Sequence, residues 1–409
     1  MGLKRVNMRI LIIVALCFNI IHAKNILQDV IDNADENAII KLPKGIYKGN
    51  IRIEKPLTII GHADGSEINA EGNGTVIEIK SSFVTLKNLI IRNSGDMHHT
   101  LDSGITVENA KYVEIINCDI DDCLFGIDLQ NVMHSKVVGN KIKSKDFDLG
   151  LRGDGLRLWY SNDNLVKKNH LTYSRDMVVW YSHGNTIEEN FGEYGRYSLH
   201  FMYTGANIVR NNTYEHNSVG IFFMYSRDTV ATGNVIKNSL GATGMGIGLK
   251  EASNFTVKDN TVIYCAQGFY IDWSAFEPDM PNLIENNNIL YNAEGMHFHS
   301  KSIDNDILKN NFVGNMENVV NDSKRVKVAG NRWDGNYWDD YEGFDRDKDG
   351  IGDTPYYSYA YADKMWLYNP NVKFFYGSPV IAIIDFLAKL APFSEPVLQL
   401  SDQNPRMKR

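Results

Sequence analysis

Cysteine is scarce, with four residues in a chain of 409. Cys17 falls in the apolar N-terminal stretch, which leaves Cys118, Cys123 and Cys265. An odd, sparse set excludes a dense disulfide framework. A Cys118–Cys123 bridge remains open; thiols buried as small hydrophobes are the expected state. Proline is sparse too, at ten residues, and hydrophobic residues make up 43%, which argues against disorder. A basic excess is missing. The formal net charge is −8, which excludes a nucleic-acid partner, since that needs a cationic footprint. No apolar run reaches the roughly 20 residues of a membrane span. The run Ile10 to Ile21 is broken by Asn19, follows Lys4, Arg5 and Arg9, and ends near Ala23. It reads as a signal peptide over residues 1–23, the alternative being an uncleaved anchor. Cys17 follows the bulky Leu16, so no lipid anchor is expected. Losing the three leader cations takes the charge from −8 to −11.

What is present is a repeat. Gly104-Ile105, Gly126-Ile127, Gly155-Leu156, Asp176-Met177, Ser198-Leu199, Gly220-Ile221, Gly246-Ile247, Gly268-Phe269 and Gly295-Met296 form one column. Its apolar members are separated by 22, 29, 21, 22, 22, 26, 22 and 27 residues. A period of about 22 with loop insertions marks a solenoid. A second column runs Asn117, Asn140, Asn169, Asn190, Asn212, Asn234 and Asn260, then one of Asn286 to Asn288, then Asn311 and Asn331. Asparagine tolerates turn backbone, and stacked amides hydrogen-bond from coil to coil. The strand after the first column alternates with period 2: Leu156-Arg157-Leu158-Trp159, Met177-Val178-Val179-Trp180, Leu199-His200-Phe201-Met202, Ile221-Phe222-Phe223-Met224. First and third members face in; second and fourth face out. A tyrosine follows each time: Tyr160, Tyr181, Tyr203 and Tyr225. The fold class is therefore all-β, a right-handed parallel β-helix over residues 24–335. Leu27, Val30, Ile31 and Ala34 have helical spacing and form an N-terminal cap, because an open sheet edge would aggregate. Residues 336–409 form an Asp-rich loop and a docking tail, in which Val380 to Leu390 suits a short helix. A chain ending at Tyr376 is expected to keep its coils.

The outward positions make two columns. One reads Asp128, Arg157, Val178, His200, Phe222, Gly248, Tyr270, His297; the other reads Gln130, Trp159, Trp180, Met202, Met224, Lys250, Asp272, His299. An exposed Trp, Met, Phe and His band is a contact surface, with Arg157, Trp159, Trp180, His200, Met202, Phe222 and Met224 as its partner or cargo residues. The competing reading is that a loop or the tail covers it. Three insertions fall at the corner before this strand, near Asp96 to Leu101, Lys145 to Arg152 and Leu240 to Met245. The first holds Met97, His98 and His99. Thioether with imidazole favours copper, above all Cu(I), so Met97, His98, His99, His297 and His299 are copper candidates. Asp345, Asp347, Asp349 and Asp353 around Gly350 resemble a calcium loop of hard oxygen ligands. Tyr356 stands where a bidentate glutamate would belong, and the alternative is a solvated acidic turn.

β-Helices often cleave polysaccharides, but a glycosidase needs two carboxylates about 5–9.5 Å apart. The outward acids Asp128 and Asp272 sit six coils apart, about 29 Å at about 4.8 Å per coil. The expectation is therefore that the chain is not an enzyme. A polysaccharide lyase or epimerase and a passive surface solenoid are the alternatives.

Five segments resemble the NosD family, the periplasmic maturation factors of nitrous oxide reductase. They are Lys55-Pro56-Leu57-Thr58-Ile59-Ile60-Gly61, Asp122-Cys123-Leu124-Phe125-Gly126-Ile127-Asp128, Arg157-Leu158-Trp159-Tyr160-Ser161, Asn336-Tyr337-Trp338-Asp339-Asp340-Tyr341-Glu342-Gly343 and Asp385-Phe386-Leu387-Ala388-Lys389-Leu390-Ala391-Pro392-Phe393. The resemblance implies a periplasmic role in assembling the copper–sulfur site of the reductase. It also implies partners: an ABC-type permease with its ATPase, a copper-delivering lipoprotein and the reductase itself.

Overall fold

The computed structural model describes residues 10–12, 25–241, 243–321, 330–360, 375, 378–390 and 397–409. The chain is a right-handed parallel β-helix and divides into two compact units, residues 1–244 and 245–409. In the first unit each coil contributes one strand to each of three parallel sheets. One coil, for example, consists of Tyr197–Met202, Ile208–Arg210 and Thr213–Glu215.

Alternation places the core. Leu156, Leu158, Val179, Leu199, Phe201, Ile221 and Phe223 are fully buried, and Met177 nearly so. Their register is direct: Leu158 pairs with Val179, Val179 with Phe201, and Phe201 with Phe223. Phe201 stacks on Phe223 with centroids 4.8 Å apart.

The corners use two devices. Inside, Asn140, Asn169, Asn190, Asn212 and Asn234 form a ladder. Each Oδ1 accepts from the backbone N–H and the Nδ2 of the preceding asparagine at 2.9–3.0 Å. Asn117 stands outside it; Cys118 takes that place, donating its N–H to Asn140 Oδ1 at 2.8 Å. Outside, Tyr160, Tyr181, Tyr203 and Tyr225 all have positive φ, between 48° and 55°. That backbone costs about 1–2 kcal/mol per residue. Ring stacking at 4.9, 5.2 and 5.0 Å returns about 0.5–1.5 kcal/mol per pair. Cys118, Cys123 and Cys265 are buried, and burial pushes the thiols of the first two up to about 12.

The helix Ile26–Asn33 caps the first unit. Asn25 accepts from the Gln28 N–H, and Leu27 and Ile31 are buried. The Gln28 amide imitates a neighbouring strand: it donates to Arg52 O at 3.0 Å and accepts from Arg52 N at 2.7 Å. That satisfies the open edge of Ile51–Ile53. Of residues 1–23, Ile10–Ile12 is a strand parallel to Ile39–Lys41; the others lie outside the described residues.

In the second unit the ladder runs Asn260, Asn287, Asn310 and Asn336. Asn311 is not part of it, and Asn331 belongs to a parallel ladder with Asn282 and Asn305. The column read from spacing was therefore misassigned at three places, because asparagine also fills the adjoining turns. Trp338 packs between Phe312 and Tyr356, at 4.2 and 4.4 Å. The hairpin of Tyr356–Ala360 with Val397–Asp402 closes the coil end. Asp402 accepts from Asn336 N, Asn336 Nδ2, Trp338 Nε1 and Gly335 N. The C-terminal strand thus completes the ladder, with bonds that a chain ending at Tyr376 would lack. The helix Pro379–Leu390 exposes Val380, Ile383, Phe386, Leu387 and Leu390. No helix among the described residues is long and apolar enough to cross a membrane.

Candidate functional site

The outer face of the longest strands in the first unit holds the two expected columns in register. Asp128, Arg157, Val178, His200 and Phe222 are successive partners, as are Trp159, Trp180, Met202 and Met224. Their exposure differs from the sequence reading. Val178 is fully buried, Asp128 is 1% exposed, Phe222 6% and His200 8%. The second column is half-buried. The band is closed over by its own neighbours rather than laid open.

Tyr197 explains much of the closure. The strand Tyr197–Met202 carries one extra residue against Asp176–Trp180, so the register shifts between Asp176 and Val178. Such a bulge re-aims a side chain. The Tyr197 ring lies on His200 at 4.7 Å and 18°. It is held by its N–H on Asp176 Oδ1 at 3.0 Å and by Arg196, whose guanidinium sits 5.1 Å from the ring and is paired to the Asp176 carboxylate. Trp180 meets the other side of His200 edge-on at 5.7 Å. Spacing alone did not single out Tyr197: Met177 and Leu199 stand 22 residues apart, the ordinary period, so the bulge left no signal in the sequence.

Within this box His200 Nε2 is 3.2 Å from Met224 Sδ. His200 Nδ1 is buried without a hydrogen-bond partner. Burial lowers the His200 pKa to about 4, so the imidazole is neutral at ordinary pH. Met202 lies beside Met224 in register. Farther along, Asp128 Oδ1 and Arg157 Nη1 approach to 3.6 Å, and neither has a hydrogen-bond partner. Burial raises the Asp128 carboxyl above its usual range, with Arg157 opposing. Arg157 rests 4.7 Å over the Trp159 ring.

The other candidates stand apart. Met97 is exposed, and its N–H donates to Asp102 Oδ2 at 3.0 Å. His98 Nε2 lies 3.0 Å from Leu151 O, and its ring meets Phe125 edge-on. Lys145 reaches Asp96 at 3.1 Å and Asp122 at 3.6 Å. These contacts lock the first two insertions together. His99 is exposed. In the second unit His297 and His299 share a face, with centroids 6.5 Å apart and Tyr270 stacked on both. His297 Nδ1 is 2.6 Å from Glu294 Oε2.

The acidic turn gathers three of its four carboxylates. One oxygen each of Asp345, Asp347 and Asp349 lies within 4.8 Å of the others, and no other group of three or more His, Cys, Asp or Glu does so among the described residues. Asp353 turns away to accept from Arg346 N at 2.8 Å. Asp345 Oδ1 is buried without a hydrogen-bond partner. Lys348 and Gly350 have φ of 64° and 90°, which bend the loop.

Comparison with known proteins gives this geometry a context. A family model described as periplasmic copper-binding protein (NosD) matches residues 144–343. A right-handed β-helix model matches residues 47–190. The copper in the first description meets a suitable donor set in the matched stretch: a thioether and a neutral imidazole in contact inside an aromatic wall. Among solved structures, the catalytic domain of a GH87 α-1,3-glucanase in complex with nigerose matches with a TM-score of 0.60 at 14% identity, covering 77% of this chain and 68% of that one. A GH136 lacto-N-biosidase from Eubacterium ramulus matches with a TM-score of 0.50 at 10% identity, covering 73% of this chain and 63% of that one. At such identities the likeness is one of fold alone. Two proteins named probable ABC transporter binding protein NosD are similar along the chain. The one from Stutzerimonas stutzeri is 32% identical, covering 90% of this chain and 86% of its own. The one from Pseudomonas aeruginosa (strain PAO1) is 34% identical, covering 91% of both chains, and on that similarity the chain belongs to the NosD family.

Proposed function

We propose that this protein is a periplasmic accessory protein for assembly of the copper–sulfur site of nitrous oxide reductase, acting with an ABC-type transporter. The observation that carries the reading is the His200–Met224 contact inside its aromatic box, a soft donor pair in the stretch matched by a copper-binding family. We read the chain as a binding protein and not as an enzyme. The carboxylates Asp154 and Asp176 beside the box are held by Arg175 and Arg196, which suits a scaffold better than a proton shuttle. Copper is cargo here. It comes from a copper-delivering lipoprotein and ends in the reductase, with the permease and its ATPase as further partners. Residues 1–23 are the leader, cleaved near Ala23.

Two elements serve this role. The helix Pro379–Leu390 presents exposed Ile383, Phe386 and Leu390 and docks on the permease. The turn of Asp345, Asp347 and Asp349 holds a structural calcium ion. The orphaned Asp345 Oδ1 supports that assignment, since a hard cation would satisfy it. The test of the main reading is deletion of the gene, followed by metal analysis of the reductase made in its absence. A reductase lacking its copper–sulfur site is expected; a fully copper-loaded, active reductase would overturn the role.

A further inference from the structure

We propose that Trp180, Trp159 and the column Tyr160, Tyr181, Tyr203 and Tyr225 form a relay that carries one-electron oxidising equivalents from the thioethers of Met202 and Met224 to the protein surface. The relay is a protective activity of the fold and does not depend on the cargo the chain carries.

Continuous ring contact is the first observation. Trp180 lies in register with Met202, and Met202 with Met224. Trp180 meets Trp159 at 5.7 Å, and Trp159 meets Tyr160 at 5.7 Å and Tyr181 at 5.3 Å. From there the phenols stack coil on coil, with their planes within 9–15° of parallel. Indole and phenol rings give up one electron readily. Tunnelling between them falls off exponentially with the gap, and here each gap is a ring contact. Stacking alone does not require the hydroxyls. Other corners of the unit stack Phe83 on Tyr112, Tyr112 on His134 and Tyr194 on His216, so rings that resist oxidation serve the packing as well. Four tyrosines in succession, joined by two tryptophans, keep an oxidisable ring at every step.

Protons set the direction of travel. A one-electron radical oxidant takes an electron from a methionine sulfur. The resulting thioether radical cation takes an electron from Trp180, which restores the thioether and leaves a tryptophan radical cation. Loss of the Nε1 proton would trap that radical. Trp180 Nε1 is buried and has no hydrogen-bond partner, so nothing accepts the proton and the hole stays mobile. Trp159 fills it and in turn takes an electron from Tyr160 or Tyr181, whose phenolic proton goes to water. Tyr160 and Tyr203 are 51% and 45% exposed, so water is at hand. The neutral tyrosyl radical is then shared along the column until a soluble one-electron reductant and a proton from water return it to tyrosine. Without the relay the thioether radical cation ends as sulfoxide, a polar group in a half-buried apolar face.

The test generates azidyl radicals by pulse radiolysis in a solution of the purified mature protein, because azidyl takes an electron from tryptophan in preference to tyrosine. Decay of the tryptophanyl absorption is expected to feed growth of the tyrosyl absorption, at a rate independent of protein concentration. Tyr160→Phe with Tyr181→Phe keeps the stack and removes the phenols beside Trp159; it is expected to melt like wild type and to slow the transfer severalfold. Tyr264→Phe with Tyr291→Phe, a stacked pair in the second unit, is expected to leave the rate unchanged. Under sulfate radicals, which also oxidise thioethers, peptide mass spectrometry is expected to find more sulfoxide at Met202 and Met224 in the Tyr160 and Tyr181 double variant than in wild type. Equal transfer rates in that variant and wild type overturn the relay. So does equal sulfoxide at the two methionines, or a slowing confined to the second-unit pair. None of these results bears on the maturation role, which stands or falls with the reductase made in the deletion strain.

Discussion

Asp154 is a carboxylate that the fold holds against its preference. It is nearly fully buried, and burial raises its pKa to about 6 although Arg175 Nη2 lies 2.9 Å away. Its ordinary value is 3.8. Between those limits the folded chain binds more protons at this position than the unfolded chain. Stability from Asp154 is therefore present at low pH and lost as pH rises through about 6. From pH 4 to pH 7 the loss is about 2 kcal/mol. Asp154→Asn keeps the shape and cannot ionise. Urea unfolding at the two pH values is expected to show the variant gaining about 2 kcal/mol on wild type as pH rises. A difference that stays constant with pH would mean that Arg175 fully compensates the buried charge. Single residues of this kind were hard to read in the sequence. In the sequence Asp154 is one more acid, two residues past the Lys145 to Arg152 insertion, and its ion pair joins residues 21 positions apart. Tyr197 was equally hidden, because its place over His200 depends on a one-residue bulge.

At the scale of elements the sequence was far more legible, and the reason is the physics of a two-residue repeat. Inward and outward positions differ by one residue, so a slip would expose the whole core. Leu199, Phe201, Ile221 and Phe223 could hold only one register. The pattern shows which way a side chain points but not what lies over it, which is why the outer columns were assigned correctly to the outer face and wrongly to open solvent. Turns are read differently. The loop Asp345 to Asp353 has its carboxylates at alternate positions, and the structure gathers Asp345, Asp347 and Asp349 while Asp353 serves the backbone of Arg346. Three carboxylates this close repel one another unless a cation sits among them. Wild type is expected to melt higher in calcium than in chelator. Asp347→Ala with Asp349→Ala is expected to melt at the lower temperature under both conditions. Identical melting of wild type with and without calcium would leave the loop a solvated turn.

Within each unit every coil satisfies the next, so a terminal coil carries a debt that an inner one does not. In the second unit the asparagine ladder would finish at Asn336 with unpaired donors. Asp402, brought back by the strand Val397–Asp402, accepts from three buried groups on Asn336 and Trp338 and from the Gly335 N–H. Arg406 adds bonds to Gly335 O and Asn311 Oδ1, both at 2.7 Å. Leaving such donors unmet costs roughly 1–3 kcal/mol each. A chain ending at Tyr376 loses this strand together with the helix Pro379–Leu390, so by itself it cannot say which of the two a partner needs. Two variants separate them. Asp402→Ala removes the cap and keeps the helix; it is expected to lower the melting temperature and to speed amide exchange in Arg332–Asp334 and Tyr337–Trp338, with little change in coils farther from the end, because solenoid contacts reach only to neighbours. Ile383→Glu with Phe386→Glu leaves the cap intact and charges an exposed apolar face; it is expected to melt like wild type and to lose co-purification with the permease. If the helix variant still co-purifies while the Asp402 variant does not, the docking surface is the closed end of the ladder, and the helix plays no part in it.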